Sequence, residues 1–375
     1  LVGTGGTLVV PSALRIGSIE LSNVILDGAG DLEAAASLSS TSGTWRGSGA
    51  VRVLAGASGS IGGTIQNVDR LVHNAGTLAF RDNATLNLRN GTLRNEGLLV
   101  VTNGVTFGQT TTNARVELGG TLRKSGTGTL AFQNGIVNQS GRMEITAGVV
   151  TGSSCELFLR PGSSSSPVID IATGAELRWG GDPIHVGAPD PFTGTGLLTF
   201  NSGGILALEV PLNLGTLDVA SNANSQVSGN FTLANRTGGR FRFVGAVAIE
   251  GGVEIGGRME TAANATVRVD DRLTILAGGA LDNLGIVRVR EFVNNGTLTG
   301  KAPEVRVTGP LRIATIESVE EPGGDRGALP AVLGSTGAKL RLRWEASPSA
   351  IFHVERSADL RRWDRQNARV TEPKP

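Results

Sequence analysis

The chain has 375 residues, of which 55 are glycine and 14 are proline, with 39% apolar residues and a formal net charge of +1. This length suffices for several compact domains or for one long repetitive one. The apolar content and the low charge argue against a disordered chain. The lack of a strict Gly-X-Y period excludes collagen, and the balanced charge supplies no broad basic face for nucleic acid.

A single cysteine, Cys155, allows no internal disulfide. We expect it to be a small buried hydrophobe rather than a nucleophile, because no histidine and asparagine partners are arranged for it. The sequence has no run of about 18 apolar residues, so it predicts no membrane-spanning helix. The chain begins at Leu1 without a methionine or a signal peptide, and we therefore expect it to be an excised piece of a longer protein.

Near the N-terminus one short segment, Asp31–Leu38, has helical periodicity, with Asp31 as its N-cap. Elsewhere apolar and polar residues alternate with a period of two, which predicts short half-buried strands. Examples are Val51–Val53, Phe241–Phe243 and Val287–Arg290, in which arginine is predicted to face outward. Glycine or asparagine separates each predicted strand from the next.

Residues 73–97 repeat one short motif three times, as Asn74-Ala-Gly-Thr-Leu78, Asn83-Ala-Thr-Leu86 and Asn90-Gly-Thr-Leu93. Glycine can supply a positive φ at a corner, and asparagine tolerates the left-handed region. Stacked asparagines can also form a hydrogen-bonded ladder. Threonine starts a strand well because it is β-branched, and leucine points into a core. The motif therefore predicts a recurring unit of corner, strand start and core residue.

Glycines that precede strands recur along the chain. They lie at Gly76, Gly97, Gly120 and Gly141, and then less regularly at Gly215, Gly239, Gly257, Gly279 and Gly296. The first four are separated by 21, 23 and 21 residues. A period near 21 with two or three short strands predicts one coil of a β-solenoid. About 300 residues then give roughly 14 coils at about 4.8 Å per coil, or a rod of about 65–70 Å.

We therefore predict an all-β chain in which residues 1–305 form a right-handed parallel β-helix, or β-solenoid. Trp45 and Trp179 precede similar glycine-rich stretches, which suggests two related cassettes, about 1–165 and 166–305. Since aromatic residues are only 4% of the chain, we expect a narrow aliphatic interior with little room for rings.

The C-terminal region differs in composition. Residues 306–336 are predicted to contain a linker and the first strand of a small β-sandwich-like module, because they combine proline, glycine pairs and mixed charge. Residues 337–375 are predicted to form a partial module. Its segments Lys339–Trp344 and Ile351–Trp363 are predicted to be two strands joined by a turn at Ser347-Pro348.

Residues 119–135, "GGTLRKSGTGTLAFQNG", resemble the autotransporter-associated β-strand repeat. The matching residues are Leu122, Lys124, Gly126, Gly128, Thr129 and Leu130. The resemblance implies one coil of a right-handed passenger β-helix. More widely, the Trp-x-Gly-x-Gly and Asn-x-Gly-Thr-Leu patterns over residues 3–300 are similar to those of bacterial surface adhesin β-helices. The family's C-terminal translocator barrel does not occur in this sequence, which leaves the secretion route open.

Residues 341–363, "RLRWEASPSAIFHVERSADLRRW", resemble a C-terminal fibronectin-like module of large secreted bacterial proteins. The matching residues are Trp344, Pro348, Val354, Ser357, Asp359, Leu360 and Trp363. The later strands of that module have no counterpart before Pro375, so we expect a truncated module.

The segment 180–192, "GGDPIHVGAPDPF", is predicted to be a long loop that interrupts the coil rhythm, and such loops on rigid scaffolds often carry binding sites. Asp182 and Asp190 are candidate contacts for Ca²⁺ or a sugar, His185 lies between them, and Trp179 is a candidate stacking platform. The alternative is an ordinary polar turn, which is the commoner role of such residues. We predict no resident cofactor, with Ca²⁺ as the one candidate ion.

Many secreted β-helices cleave polysaccharides, and pectin-hydrolase-like helices carry several carboxylates and a Gly-His-Gly segment around one glycosidic bond. Of that set the sequence contains only Asp270-Asp271, whose alternation with core residues predicts outward, solvated charges. We therefore expect no enzymatic activity.

The sequence favours an extracellular, non-catalytic structural or adhesive stalk of a bacterial surface or secreted protein. Its expected partners are cell-surface or matrix glycans or other surface proteins, and no nucleic acid. The alternative function is a β-helix that binds or cleaves polysaccharide through the loop 180–192. A third possibility is a spacer that binds nothing itself. Fold alone does not decide among them.

Overall fold

The computed structural model describes residues 1–305, apart from positions 82, 163–165, 202, 216, 217, 222 and 223. For residues 218 and 219, and for four strands beyond residue 312, it describes the backbone. Within these residues every regular element is a β-strand. No helix in this part of the chain is long and apolar enough to span a bilayer.

The strands are numbered in chain order. The first group is β1 Val2–Thr4, β2 Thr7–Val9, β3 Leu14–Asp27, β4 Leu32–Trp45, β5 Val51–Val53, β6 Ser58–Val68, β7 Leu71–Asn74, β8 Thr77–Phe80, β9 Ala84–Leu88, β10 Thr92–Asn95, β11 Leu98–Val101, β12 Val105–Gln109, β13 Arg115–Leu118 and β14 Thr121–Lys124. The second group is β15 Thr129–Gln139, β16 Arg142–Ile145, β17 Val149–Leu159, β18 Val168–Ile171, β19 Glu176–Gly180, β20 Pro183–Val186, β21 Phe192–Gly194, β22 Leu197–Asn201, β23 Ile205–Leu208, β24 Leu212–Asn213, β25 Asp218–Ser221, β26 Ser225–Ser228 and β27 Leu233–Asn235. The third group is β28 Arg240–Phe243, β29 Ala246–Ile249, β30 Val253–Ile255, β31 Arg258–Thr261, β32 Thr266–Ile275, β33 Ala280–Asn283, β34 Ile286–Asn294, β35 Thr297–Gly300, β36 Glu304–Val305, β37 Ile313–Val319, β38 Lys339–Trp344, β39 His353–Arg356 and β40 Asp364–Asn367.

The chain winds so that each coil contributes one short strand to each of three faces. Face A contains β7, β10 and their parallel successors, face B contains β8 and β11, and face C contains β9 and β12. Longer strands such as β15 and β17 run round a corner from face C to face A. Residues paired within a face therefore bond to the coil above and the coil below.

This parallel β-solenoid has about 14 turns, which confirms the coil number predicted from the glycine spacing. Strands β1 to β36 form one hydrogen-bonded network. At every step from one coil to the next, strands pair on at least two of the three faces. Among the described strands the pairing lapses only on face B, between β21 and β24, where Pro191 and Pro211 cannot donate a backbone hydrogen bond.

The three copies of the asparagine motif lie at three successive corners of one coil. The strand that follows is β8 on face B for the first copy, β9 on face C for the second and β10 on face A for the third. The predicted ladder is present, because Asn74 Nδ2 donates to Asn95 Oδ1 over 2.7 Å in the buried interior. Asn83 adopts a φ of +59°, as expected of a left-handed corner residue. The segment with helical periodicity, residues 31–38, is a strand, because it continues the parallel pairing as part of β4 and its alternate side chains are buried.

The first four recurrent glycines stack coil upon coil, but their backbone is not left-handed. Gly76, Gly97, Gly120 and Gly141 precede strands of face B, and none has a positive φ. A Cβ at Gly97 would lie 2.1 Å from the carbonyl oxygen of Gly76 in the coil below. Close approach of successive coils therefore requires glycine here. The later set, from Gly215 to Gly296, precedes strands of face C. Along the rod, the recurrent glycines therefore move from the corner before face B to the corner before face C.

We expect Gly97→Ala to lower the free energy of unfolding by about 1–3 kcal/mol, because the added methyl group meets backbone that cannot move without parting two coils. Gly17→Ala is the control, since Gly17 lies within β3 with nothing within 4 Å of an added Cβ. Urea denaturation followed by circular dichroism would measure both. Equal stability of the two variants would contradict the proposed stacking.

The core is a continuous column of side chains that the three faces supply, and it is mainly aliphatic. Leu78, Leu99 and Leu122 stack in register on face B. The prediction that rings have little room is wrong for face C, where buried aromatic residues stack in or near register. They are Phe107, Phe132, Trp179, Phe200 and Phe243. Small residues alternate with some of these rings and leave space for them, as shown below for Gly152.

Lys124, one of the buried cationic side chains, lies inside the column at the end of β14. Its Nζ donates to the carbonyl oxygens of Ser125 at 2.8 Å and Gly126 at 2.9 Å, with the Thr102 and Ala147 oxygens at 3.4 and 3.5 Å. These oxygens belong to three successive coils at the corner between faces B and C. The ammonium group thus supplies donors that the corner backbone lacks, and burial lowers the pKa of Lys124.

Outward positions carry ion pairs that join neighbouring coils. Arg94 pairs with Glu117 and Arg123 with Glu144, each over 2.7 Å and each at matching register positions of successive strands. This confirms the predicted outward arginines. Each exposed pair adds little stability by itself, so the aliphatic column dominates.

Beyond the solenoid, β37 pairs with β38 and β39 pairs with β40, both antiparallel. Strands were predicted at Lys339–Trp344 and within Ile351–Trp363, and both are present. Their predicted connection is a turn at Ser347-Pro348. The remainder of the predicted linker and module, including that turn, lies outside the described residues.

Candidate functional site

Trp179 lies inside the solenoid rather than on its surface. Its side chain is 0% exposed, and its Nε1 donates to the Cys155 carbonyl oxygen over 2.8 Å. Gly152 is the register partner of Trp179, and a Cβ there would lie 2.4 Å from the indole ring. The ring therefore fills the space that Gly152 leaves, 6.5 Å from the centre of the Phe132 ring. A buried ring cannot serve as the stacking platform for a sugar that the sequence suggested.

Cys155 is buried, as predicted. Burial raises the pKa of its thiol to about 12, so it stays protonated at neutral pH. This environment favours packing over nucleophilic chemistry.

The segment predicted to be a long loop contains a regular strand. Pro183–Val186 forms β20 on face A and pairs with β17 and β23. The prediction is wrong because the alternating pattern of these four residues extends the ladder in spite of the prolines that flank it. The lengthened corners are residues 160–167, between β17 and β18, and residues 187–191, between β20 and β21.

His185 faces outward from β20 and stacks on Phe158 of the preceding coil, with ring centres 4.3 Å apart and planes at 1°. Its Nε2 lies 3.3 Å from a Glu156 carboxylate oxygen. Asp182 and Asp190 flank β20 at its two ends, on different corners of the coil. Asp190 Oδ1 accepts a hydrogen bond from the Asn213 amide over 3.2 Å. The four predicted residues are thus not brought together at one site.

No group of three or more His, Cys, Asp or Glu side chains within the described ranges could hold a metal ion. Asp182 and Asp190 therefore form no Ca²⁺ cage with described neighbours. Asp270, the other carboxylate considered, forms a bidentate ion pair with Arg268 on the outer surface.

A different feature, a groove of about 560 Å³, lies on the outer surface of face C. Four outward residues run along its floor in register from coil to coil. They are Arg178, Thr199, Ala220 and Arg242. Thr199 and Ala220 are 2% and 8% exposed, and their short side chains leave a trough between two arginines. The corner residues Thr173 and Thr195 form one rim, with their hydroxyl oxygens 2.6 Å apart.

The two ends of the groove differ in how their charges are paired. At one end Arg178 donates two hydrogen bonds to Glu176, at 3.0 and 2.6 Å, and this pair raises the pKa of Arg178. At the other end Arg242 is 3.9 Å from the nearest Glu260 carboxylate oxygen, and its side chain is 52% exposed. Glu260 also pairs with Arg240 and Arg258. Of the two arginines on the groove floor, Arg242 therefore has the weaker pairing with carboxylates.

Sequence reasoning missed this groove, although a signal is present. The floor residues recur at spacings of 21, 21 and 22, the coil period, and two small residues interrupt a column of arginines. This interruption can be recognised as a groove only when the four positions are known to share one face of the solenoid.

Comparison of the chain with family models finds no matching family, and comparisons with curated proteins and with solved structures find no match. The parallel β-solenoid fold is thus established from the coordinates and from the repeat of the sequence.

Proposed function

We propose that the chain is a non-catalytic structural or adhesive stalk of a bacterial protein that is secreted or displayed on the cell surface. The observation that carries this proposal is the parallel pairing of successive coils from β1 to β36. In a solenoid each coil contacts only its neighbours, so length can be set by coil number while the cross-section stays constant. A rod of about 65–70 Å, at about 4.8 Å per coil, would hold attached domains at a fixed distance.

The extracellular setting rests on two resemblances in the sequence. Residues 119–135 resemble an autotransporter-associated repeat, and residues 341–363 resemble a fibronectin-like module of secreted bacterial proteins. Surface or matrix glycans, or other surface proteins, are the partners that such a stalk would meet.

Localisation tests the setting. An antibody raised against the purified solenoid should label intact cells that produce the full-length protein, and protease treatment of those cells should remove the label. A cytoplasmic marker that stays unlabelled until permeabilisation is the control. Labelling that appears only after permeabilisation would refute the surface role.

Coil deletion tests the stalk itself. Removing residues 98–141 deletes two whole coils. The corner between faces A and B in one coil is then joined to the same corner two coils further along the chain. We expect a folded rod that is shorter by about 10 Å, measured as the maximum dimension in small-angle X-ray scattering. Removing residues 98–128 deletes one and a third coils, which would put a face C strand where a face B strand belongs. This control should lose cooperative melting, and equal behaviour of the two deletions would argue against a modular rod.

Polysaccharide binding is the second candidate function, and the groove on face C is the observation that favours it. Cleavage would need catalytic carboxylates, and Asp182 and Asp190, the sequence candidates for sugar contact, are the carboxylates to test. Release of reducing sugar by the purified protein, lost in Asp182→Ala or Asp190→Ala, would replace the non-catalytic proposal with an enzymatic one.

A further inference from the structure

The groove on face C owes its shape to two consecutive coils. Their outward residues, Thr199 and Ala220, are small where the coils on either side carry Arg178 and Arg242. Three coil steps separate the two arginines, which makes the trough about 14 Å long at about 4.8 Å per step. A volume of about 560 Å³ falls within the range of sites that bind small organic ligands, about 300–1,000 Å³.

One polar group on the floor has no partner among the described residues. The Thr199 hydroxyl is buried, and it forms no hydrogen bond with any residue that the structure describes. Buried hydroxyl groups are normally satisfied by protein, water or ligand. A hydroxyl-bearing ligand that enters the groove far enough to reach this hydroxyl would satisfy it.

The charges favour one acidic group at one end of the ligand. Glu176 and Arg178 neutralise each other at the near end. Among the described carboxylates, Arg242 has one within 4 Å, that of Glu260 at 3.9 Å, and it shares this carboxylate with two other arginines. An exposed guanidinium of this kind can take a carboxylate in a bidentate pair.

We propose that this groove binds a short segment of an acidic polysaccharide of the uronic-acid type. A uronate carboxylate pairs with Arg242, and sugar hydroxyls meet Thr199, the Glu176–Arg178 pair and the threonine rim. The mixture of hydroxyl, guanidinium and carboxylate groups on the lining supplies both donors and acceptors, as a polyhydroxylated chain requires. The inference rests on the carbohydrate-binding alternative and is independent of the stalk role.

Isothermal titration calorimetry of the whole chain with a galacturonic acid hexamer tests the proposal, with a maltose-type glucose hexamer as the neutral comparison. We expect the uronate to bind at least about tenfold more tightly than the neutral hexamer, since a charge-assisted hydrogen bond is lost with the latter. Equal affinity for the two would overturn the assignment to acidic sugars. Lack of measurable binding of both hexamers at millimolar concentration would overturn the site.

Variants locate the site. Ala220→Arg continues the arginine column and fills the trough, so binding should be lost. Arg242→Gln should weaken uronate binding at least about tenfold while keeping a hydrogen-bonding group. Arg123→Gln, on face B, is the matched control and should bind as the parent does. Unchanged binding by Ala220→Arg would overturn the proposal. Melting temperatures within a few degrees of the parent would show that the coils of each variant are intact. The rod length and the surface labelling should be the same in these variants as in the parent.

Discussion

Trp179→Ala should lower the free energy of unfolding by about 3–5 kcal/mol, the range for removing a fully buried large aromatic side chain. The indole is 0% exposed, fills the space that Gly152 leaves and donates to the Cys155 carbonyl oxygen. Its loss leaves both a cavity and an unpartnered carbonyl. Because each coil contacts only its neighbours, the lost protection should centre on β17, β19 and β22. Hydrogen exchange followed by mass spectrometry, together with urea denaturation, would measure both effects.

Gly152 provides the matched test of that packing. Gly152→Ala alone should cost about 1–3 kcal/mol, because the methyl group overlaps the indole. In the Trp179→Ala background the same methyl group enters an empty space, so the second change should be neutral or stabilising. The double variant should therefore be more stable than the sum of the single effects. Strictly additive effects would show that the two residues do not share one space.

Lys124→Ala should cost about 2–5 kcal/mol, since it removes a buried aliphatic stem and leaves corner carbonyl oxygens without donors. Lys124→Met keeps most of the stem and loses only the ammonium group, so its cost should be smaller, about 1–3 kcal/mol. Urea denaturation of both variants would test this order. Greater stability of Lys124→Met than of the parent would show that the buried charge costs more than its hydrogen bonds contribute.

The same lysine gives a dependence on pH. Burial lowers its pKa in the folded chain below the ordinary value of 10.5, which applies to the unfolded chain. Between the folded pKa and the unfolded pKa, the unfolded chain therefore binds more protons than the folded one. Stability then rises with pH in that window. The stability difference between the parent and Lys124→Met, which cannot titrate there, should widen as the pH rises toward 10.5. A constant difference would contradict the direction of the shift.

The repeat architecture was predictable because its tertiary contacts recur at a nearly fixed sequence distance. Each residue in a face pairs with residues about one coil away, so the stacking of Gly97 on Gly76, or of Asn95 on Asn74, is visible as a period near 21. Alternation of apolar and polar residues then predicts which side chains enter the core. For the stacked glycines such as Gly97 the reason was different from the one predicted, because close approach of coils rather than a positive φ requires them. At other corners, such as that of Gly126, the predicted positive φ is present.

The candidate sites were less predictable, because they depend on register. The lengthened corner at residues 160–167 shifts the period, so Gly152 and Trp179 are partners although 27 residues separate them. The sequence therefore gave no indication that a glycine makes room for the indole, and Trp179 seemed available at the surface.

Composition, alternation and spacing by themselves determined that this chain is a stacked, all-β column with aliphatic layers and outward arginines. Only the tertiary structure decided that Lys124 lies inside, that β20 replaces a loop, and that Thr199 and Ala220 form a trough on face C. The physical reason is that periodicity specifies which residues recur, whereas burial and grooves arise from the volumes of side chains that particular coils bring into contact.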